Sequence, residues 1–228
     1  MKSLWQKKPA WLKAILLNLI LLFPILIINQ VIVQLNLRFY PKYGIGLIFI
    51  FITLFMYWKA INKWNPFNDK NDIKMDLKFQ LLKKENILSI LGICLLSAVL
   101  LALSLYIFEI DSSRQYVLIK SFSNYNAQTA IPLLFGLALT AGIIEEVTYR
   151  GYMQNTTNRA YSKFISYLII AIIFTTFHFL PLELIVPYLL MSFAYSYVAD
   201  KQKSIGLVIF THTFFDFVVF MMIYFNVI

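Results

Sequence analysis

The stretch AIPLLFGLALTAGIIEEVTYR, residues 130–150, decides the fold, because an unbroken apolar run leads directly into two glutamates and an arginine. The predicted helix, Ala130–Gln154, is long enough to cross a hydrocarbon core of about 30 Å. Each ionisable side chain inside such a helix costs about 2.5 to 3.5 kcal/mol to insert, so it normally faces a partner or a water-filled cavity and serves a function. The stretch therefore predicts a membrane helix that carries a polar site.

The whole chain has the composition of an integral membrane protein. Its 228 residues are 60% hydrophobic and 14% charged, with a mean hydropathy of +0.72, whereas soluble domains are about 25% charged. We predict an all-α fold, a polytopic transmembrane helix bundle of about seven spans with six to eight as bounds, forming a single integral membrane domain, 1–228. The predicted spans are Trp11–Leu35, Gly44–Ile61, Ile87–Phe108, Ala130–Gln154, Tyr161–Leu180, Leu182–Ala199 and Ile205–Ile228.

The positive charges indicate membrane topology. The net charge is +9, but the lysines lie in short segments between apolar runs and form no continuous basic face, so nucleic acid is not an expected partner. They mark the N-terminus and the second and sixth connections as cytoplasmic. The apolar run Ala14–Val33 is too long for a signal peptide, so we expect a retained first helix. In the second connection, Ile73–Leu82 has the spacing of an interfacial amphipathic helix, and a solvated loop is the alternative.

Six ionisable residues, which include both histidines of the protein, lie inside the predicted spans. They are Glu145, Glu146 and Arg150 in the fourth span, His178 in the fifth, and His212 and Asp216 in the seventh. On a helix Glu146 and Arg150 meet on one face and can pair, whereas Glu145 lies about 100° round the helix and stays available. Ala141 and Gly142, one turn earlier, would let a partner helix or an extended peptide approach closely. Each residue alone has an ordinary structural explanation, but the whole set indicates a site.

Counting along the helices predicts which of these side chains can meet. From the polar turn at Tyr161, Glu145 lies 16 residues back and His178 lies 17 residues forward. Each distance is about 25 Å at the helical rise, so an antiparallel pair of helices brings the two side chains level. His212 lies only about 12 Å into its own helix. It reaches the same level if the fourth helix projects past the membrane through its polar end, Gln154–Arg159.

Three short strings of residues resemble the motifs of a known family. EEVTYR (Glu145–Arg150), FTTFH (Phe174–His178) and HTFFD (His212–Asp216) are similar to the EExxxR, FxxxH and HxxxN/D motifs of the CPBP family, the CAAX proteases and bacteriocin-processing enzymes also called Abi proteins. One such motif alone is weak, but three in order, each in a separate apolar span, are specific. By this resemblance residues 130–228 form the catalytic core. Residues 1–129 then supply N-terminal helices and an amphipathic cytoplasmic connection.

The resemblance implies an all-helical intramembrane endopeptidase. Hydrolysis of an amide needs an activated water and a stabilised oxyanion. We expect Glu145, with help from His178, to hold and deprotonate the water, and His212 to donate to the oxyanion. Arg150 would lock Glu146 in place. The catalytic residues predicted are therefore Glu145, His178 and His212, together with Asp216 considered next, and Glu146 and Arg150 support them.

Asp216 and the metal question are two places where the chemistry stays open. In the family the residue that matches Asp216 is often Asn, whose amide can donate to an oxyanion, whereas an ionised carboxylate cannot. Asp216 either stays protonated or orients His212, four residues away, and raises its basicity. Glu145, His178 and His212 are candidate zinc ligands, but there is no HExxH motif, and the family has been argued both as metalloenzymes and as glutamate proteases. We expect no permanent cofactor or metal.

Two functions of other classes compete with the peptidase hypothesis. A noncatalytic immunity protein could bind a bacteriocin or its receptor with the same scaffold. A proton-coupled transporter could relay protons through Glu and His side chains. Such a transporter ordinarily shows inverted repeats or broken helices, and the sequence shows neither.

The expected partners are the lipid bilayer and a membrane-associated peptide or protein substrate. The Ile, Lys, Asn and Phe bias suggests a bacterium of low GC content, and the chain lacks eukaryotic targeting features. A prenylated substrate is therefore not expected. We predict a leader or precursor peptide, such as a bacteriocin or pheromone, cut near the cytoplasmic side of the cell membrane.

Overall fold

The described part of the chain is entirely helical. A computed structural model describes residues 8–17, 43–64 and 117–227, together with scattered positions within 19–35 and 88–103. Over these residues it contains no strand, which confirms the predicted all-α class. The helices are α1 (Ala10–Leu17), α2 (Tyr43–Trp64), α3 (Val117–Ser121), α4 (Ala127–Glu146), a π-helical segment (Val147–Met153), α5 (Gln154–Ala160), α6 (Lys163–Phe177), α7 (Leu182–Gln202) and α8 (Gly206–Tyr224), with a 3₁₀ turn at Phe122–Asn124.

Three of the described helices are long and apolar enough to cross a membrane. They are the continuous helix Ala127–Ala160, of 34 residues, together with α7 and α8, and they match the predicted fourth, sixth and seventh spans. By contrast, α6 has 15 residues, which rise about 22 Å and fall short of a hydrocarbon core of about 30 Å. The predicted fifth span, Tyr161–Leu180, is therefore longer than the helix found there. The count of seven spans is not confirmed.

Several predicted segments lie wholly or largely outside the described residues. These are the spans Trp11–Leu35 and Ile87–Phe108 and the amphipathic segment Ile73–Leu82. The predicted second span, Gly44–Ile61, coincides with α2. The division of the chain into N-terminal helices, 1–129, and a catalytic core, 130–228, stays a prediction.

The continuous helix from α4 to α5 places the glutamates away from either of its ends. It begins at Asn126, whose side-chain oxygen accepts a hydrogen bond from Thr129 N at 3.0 Å, as an N-cap residue does. It continues without a break through the polar stretch Gln154–Arg159, as the counting argument requires. Its 34 residues rise about 51 Å, more than one hydrocarbon core of about 30 Å. The helix is therefore long enough to carry its polar end beyond the apolar layer.

Two glycines let neighbouring helices approach α4 closely on different faces. A Cβ added to Gly142 would clash with Thr213 Oγ1 and would lie 3.0 Å from Thr213 N and 3.2 Å from Ile209 O. The backbone of α8 therefore packs directly on Gly142, which confirms the predicted close approach and identifies the partner helix. A Cβ on Gly136 would lie 2.8 Å from Ile50 Cδ1, at the end of a side chain of α2. Small residues at a helix interface permit such packing.

Helices α6 and α7 form an antiparallel hairpin. Polar contacts join the start of α6 to the end of α7. Asp200, near the end of α7, accepts a hydrogen bond from Tyr167 Oη at 2.7 Å and forms an ion pair with Lys163 Nζ at 2.6 Å. At the other end α6 stops at Phe177, and His178 is its C-cap residue. The hairpin therefore holds His178 at the turn between the two helices.

Candidate active site

The four predicted catalytic side chains converge from three separate helices. Glu145 lies in the last turn of α4, His178 caps α6, and His212 and Asp216 lie on α8. Glu145 Oε2 is 3.6 Å from His178 Nε2 and 3.9 Å from His212 Nε2. His212 Nε2 is in turn 3.4 Å from Asp216 Oδ2. The arrangement is the one that residue counting predicts, with Glu145 level with both histidines.

Glu145 presents a carboxylate oxygen with no fixed protein partner. Its side chain is 9% exposed, and among the described residues Oε2 has no hydrogen-bond partner although it is buried. Hydrogen bonds in proteins have donor–acceptor distances of about 2.7 to 3.2 Å, so both histidine nitrogens lie just beyond direct contact. Polar contacts longer than about 3.5 Å are ones that a water molecule can bridge. Glu145 Oε2 is therefore placed to share a small bound group with the two imidazoles.

Glu146, the neighbouring glutamate, holds together Arg150 and His212. Arg150 Nη1 donates to Glu146 Oε1 at 2.9 Å, which confirms the predicted pair. The same Oε1 lies 2.7 Å from His212 Nδ1. Since an ionised carboxylate only accepts hydrogen bonds, Nδ1 is the donor. Glu146 therefore orients His212 from one ring nitrogen, while Asp216 lies at the other.

This contact between Glu146 and His212 is the part of the site that sequence reasoning missed. The spacing along the sequence predicts only Asp216 as the group that orients His212, because the two are one turn apart on the same helix. Glu146 lies 66 residues away along the chain, and no local pattern signals a contact of that kind. From the sequence, Arg150 is the only expected partner of the Glu146 carboxylate.

His178 is oriented by the end of its own helix. Its Nδ1 lies 2.7 Å from the carbonyl oxygen of Phe174, and its ring packs on the Phe174 ring with centroids 4.3 Å apart. Because a carbonyl oxygen only accepts, Nδ1 donates, and in the neutral imidazole Nε2 then carries the lone pair that faces Glu145. The prediction that His178 lies inside a span is corrected: α6 ends at Phe177. The chain turns there because Phe179 adopts a positive φ of 49° and Pro181 follows shortly after.

Arg150 is anchored on α7 as well as on Glu146. Its Nη2 donates to Ser192 O at 2.9 Å and to Ser192 Oγ at 2.8 Å. One turn further along, Gln154 Nε2 donates to Ser196 O at 2.9 Å. Sequence reasoning passed over both serines, although polar residues four apart in an apolar helix are a signal of a polar seam. The seam ties the segment that follows the glutamates to α7.

The backbone changes geometry directly after the two glutamates. Glu146 is the last residue of α4, and Val147–Met153, which includes Arg150, is π-helical. In a π-helix the hydrogen bonds run from residue i to residue i+5, and such segments are frequent at functional sites. The string EEVTYR by itself predicts a regular α-helix here, because none of its residues marks a π turn.

The described side chains do not form a metal centre. Among them, no group of three or more His, Cys, Asp or Glu residues has the arrangement that would hold a metal ion. The predicted zinc candidates Glu145, His178 and His212 come together, but His212 already uses Nδ1 on Glu146, and its Nε2 also faces Asp216. The expectation that no permanent metal is used stays a prediction.

One family model matches the part of the chain that carries these side chains. Residues 127–218 match the family model described as Type II CAAX prenyl endopeptidase Rce1-like, and all six predicted site residues lie inside that range. No curated protein and no solved structure matches the chain. The matched range is less than half of the 228 residues, and over this range the chain is similar to the Rce1-like CAAX endopeptidases, which are members of the CPBP family.

Proposed function

We propose that the protein is an intramembrane endopeptidase that hydrolyses a peptide bond with a water activated by Glu145 and His178. The observation that carries the proposal is the environment of Glu145 Oε2, which is buried without a hydrogen-bond partner among the described residues. It faces Nε2 of His178 at 3.6 Å and Nε2 of His212 at 3.9 Å. A carboxylate in this position can accept one proton of a water, while the lone pair of His178 Nε2 accepts the other hydrogen bond.

In the proposed reaction Glu145 acts first as a base and then as an acid. Glu145 removes a proton from the water, and the resulting hydroxide attacks the carbonyl carbon of the scissile peptide bond. The tetrahedral intermediate then expels the amine as the carbon–nitrogen bond breaks. Glu145 returns the proton to the leaving nitrogen, so the products are a carboxylic acid and an amine, which together contain every atom of the peptide bond and the water, and the enzyme regains its initial state.

His212 is the proposed donor to the oxyanion. Because Nδ1 donates to Glu146, Nε2 can donate as well only when the ring is the imidazolium. Arg150 neutralises Glu146, which leaves Asp216 as the carboxylate that balances a charged His212 at 3.4 Å. Of the two roles left open for Asp216, we therefore propose that it is ionised and supports His212.

The proposed substrate is a membrane-associated peptide or protein. The site lies between apolar helices, so a polypeptide has to enter from the lipid or from the membrane surface to reach it. Of the site residues, His178 and Asp216 have side chains exposed by 26% and 20%, and they therefore mark the accessible side. We propose a bacterial precursor or leader peptide, such as a bacteriocin or pheromone, processed in the cell membrane with the N-terminus of the enzyme in the cytoplasm.

The proposal is tested by comparing the cleavage products made in cells. New N-termini in the membrane proteome and peptidome are identified in cells that carry the wild type, Glu145→Gln or His178→Ala. A matched control is Glu183→Gln, the same chemical change on an exposed glutamate at the start of α7. We expect a set of termini that the two site variants lose and the control keeps. Identical termini in all four strains would refute the peptidase and leave a binding scaffold.

A further inference from the structure

A tyrosine of α2 contacts the backbone directly beside Glu145. The hydroxyl of Tyr57 donates to Ile144 O at 3.2 Å and lies 2.7 Å from Thr148 Oγ1. Tyr57 is 2% exposed, and both Ile144 and Thr148 are fully buried. Tyr57 lies outside the part of the chain assigned to the family. The contact therefore joins the N-terminal half of the chain to the motif that carries the proposed base.

The carbonyl that Tyr57 binds belongs to the peptide group that supplies the nitrogen of Glu145. A hydrogen bond to this oxygen fixes the orientation of that planar group and so fixes the Cα atom from which the Glu145 side chain extends. The same region is where the helix changes geometry, because Val147 N–H donates to the carbonyls of both Ile143 and Ile144. Tyr57 therefore makes its hydrogen bonds at the junction between α4 and the π-helical segment.

Other threonines of the same helices show what the local structure would be without this tyrosine. In five helical threonines the hydroxyl donates to the carbonyl four residues back, at 2.8 to 3.1 Å; they are Thr140, Thr156, Thr157, Thr176 and Thr211. In Thr175 and Thr213 the hydroxyl oxygen has no hydrogen-bond partner among the described residues. Thr148 differs, because its hydroxyl bonds to Tyr57, and Tyr57 bonds to the carbonyl of Ile144, four residues before Thr148. The tyrosine hydroxyl therefore lies between Thr148 and the carbonyl of Ile144, which has the same position in sequence as the acceptor that those five threonines use.

The direction of the two hydrogen bonds follows from the donors available. A tyrosine hydroxyl has one hydrogen, and the carbonyl of Ile144 can only accept, so Tyr57 donates to Ile144 and Thr148 donates to Tyr57. Removing the Tyr57 hydroxyl would free Thr148 to bond to the Ile144 carbonyl directly. The turn that carries Glu145 would then relax toward the geometry of the other threonine turns.

We propose that Tyr57 is a positioning residue, which holds the peptide group of Glu145 so that the carboxylate faces His178 and His212. The proposal rests on the proposed peptidase function. It gives the N-terminal helix α2 a part in catalysis without contact with the substrate. A purely structural tyrosine would instead stabilise the fold and leave the turnover of folded enzyme unchanged.

The test uses Tyr57→Phe, which keeps the ring and removes only the hydroxyl. The matched control is Tyr224→Phe, since Tyr224 Oη also donates to a backbone carbonyl, that of Tyr125, at 2.9 Å and lies outside the site. The full-length proteins are reconstituted in liposomes with a synthetic peptide that spans a cleavage site lost in Glu145→Gln. For Tyr57→Phe we expect kcat to fall by about tenfold, the factor that corresponds to losing about 1.4 kcal/mol with the hydrogen bond that holds the Ile144 carbonyl. KM should be unchanged, and Tyr224→Phe should keep the wild-type kcat.

Each outcome decides the proposal separately from the function on which it rests. Unfolding midpoints of the purified variants are measured in parallel, so that a loss of folded protein is not taken for a loss of turnover. If Glu145→Gln abolishes cleavage and Tyr57→Phe keeps the wild-type kcat, the positioning role is refuted and the peptidase stands. If Glu145→Gln keeps full cleavage, the peptidase function fails and the role of Tyr57 fails with it.

Discussion

His212 Nδ1 lies 2.7 Å from Oε1 of Glu146, the glutamate that directly follows the proposed base. Two adjacent carboxylates on one helix therefore face the two ring nitrogens of the same histidine, since Glu145 Oε2 lies 3.9 Å from His212 Nε2. Glu146 orients the ring and binds Arg150, while Glu145 Oε2 has no hydrogen-bond partner among the residues that the structure describes. This difference in partners explains why a helix in a membrane protein keeps two consecutive glutamates despite their cost.

Glu146→Gln should damage both stability and turnover. The amide keeps an acceptor oxygen but removes the charge that compensates the buried Arg150, and an unpaired buried charge costs about 3 to 5 kcal/mol. We expect a lower unfolding midpoint in detergent and slower peptide cleavage by the protein that remains folded. Glu183→Gln, on the exposed start of α7, serves as the control. Wild-type stability in Glu146→Gln would show that Glu146 is not the partner of Arg150.

Arg150→Lys should be poorly tolerated although it keeps the charge. Arg150 uses Nη1 on Glu146 and Nη2 on Ser192 O and Oγ, and a lysine ammonium cannot reproduce this planar fork. Ser192→Ala removes only one of these bonds, which is worth about 1 kcal/mol. Unfolding midpoints should therefore rank the wild type above Ser192→Ala and Ser192→Ala above Arg150→Lys. The reverse order of the two variants would contradict the assigned geometry.

Asp216→Asn and Asp216→Ala distinguish whether residue 216 must supply a negative charge or a hydrogen-bond donor. In Asp216→Asn the amide can donate to an oxyanion, as the residue common in the family would, so we expect cleavage to persist. Asp216→Ala supplies neither a donor nor a charge for His212. Loss of oxyanion stabilisation costs about 10² to 10³ in kcat, and we expect a loss of that order in initial rates. Wild-type rates in both variants would argue that Asp216 takes no part, whereas an equal loss in both would show that His212 needs the charge of Asp216 and not a donor.

The two glycines of α4 should respond very differently to the same change. At Gly142 an added Cβ meets the backbone of α8, 3.0 Å from Thr213 N and 3.2 Å from Ile209 O, and backbone cannot move aside cheaply. At Gly136 the nearest atom is the end of the Ile50 side chain, which can rotate. Gly142→Ala should therefore lower the unfolding midpoint and slow cleavage, because it pushes His212 away from Glu145. Gly136→Ala should be mild in both measurements, and the opposite result would contradict the packing.

Patterns along single helices predicted much of this arrangement. The helical class follows from composition, and the pair of Glu146 and Arg150 follows from a spacing of four residues. Counting residues from the turn at Tyr161 brings Glu145 level with His178, because helical rise is nearly constant. Contacts of these kinds depend only on regular helix geometry, which the sequence encodes locally.

Contacts between distant helices could not be predicted in this way. The bond between Glu146 and His212 spans 66 residues, and the bonds of Tyr57 to Ile144 and Thr148 span 87 and 91 residues. Which faces of two helices meet depends on their relative rotation, and a single sequence does not encode that rotation in any local pattern. The predicted fifth span is longer than α6 for a related reason, since apolar residues after Phe177 continue past the end of that helix.

The central claim, that Glu145 activates the attacking water, is tested most directly by one comparison of cleavage rates. Purified wild type, Glu145→Gln and Glu183→Gln are reconstituted in liposomes with a synthetic peptide that spans an identified cleavage site, and initial rates are measured. General base catalysis contributes about 10² to 10⁴ to a rate, so Glu145→Gln should lose activity by that factor while Glu183→Gln matches the wild type. Cleavage by folded Glu145→Gln at the wild-type rate would contradict the account.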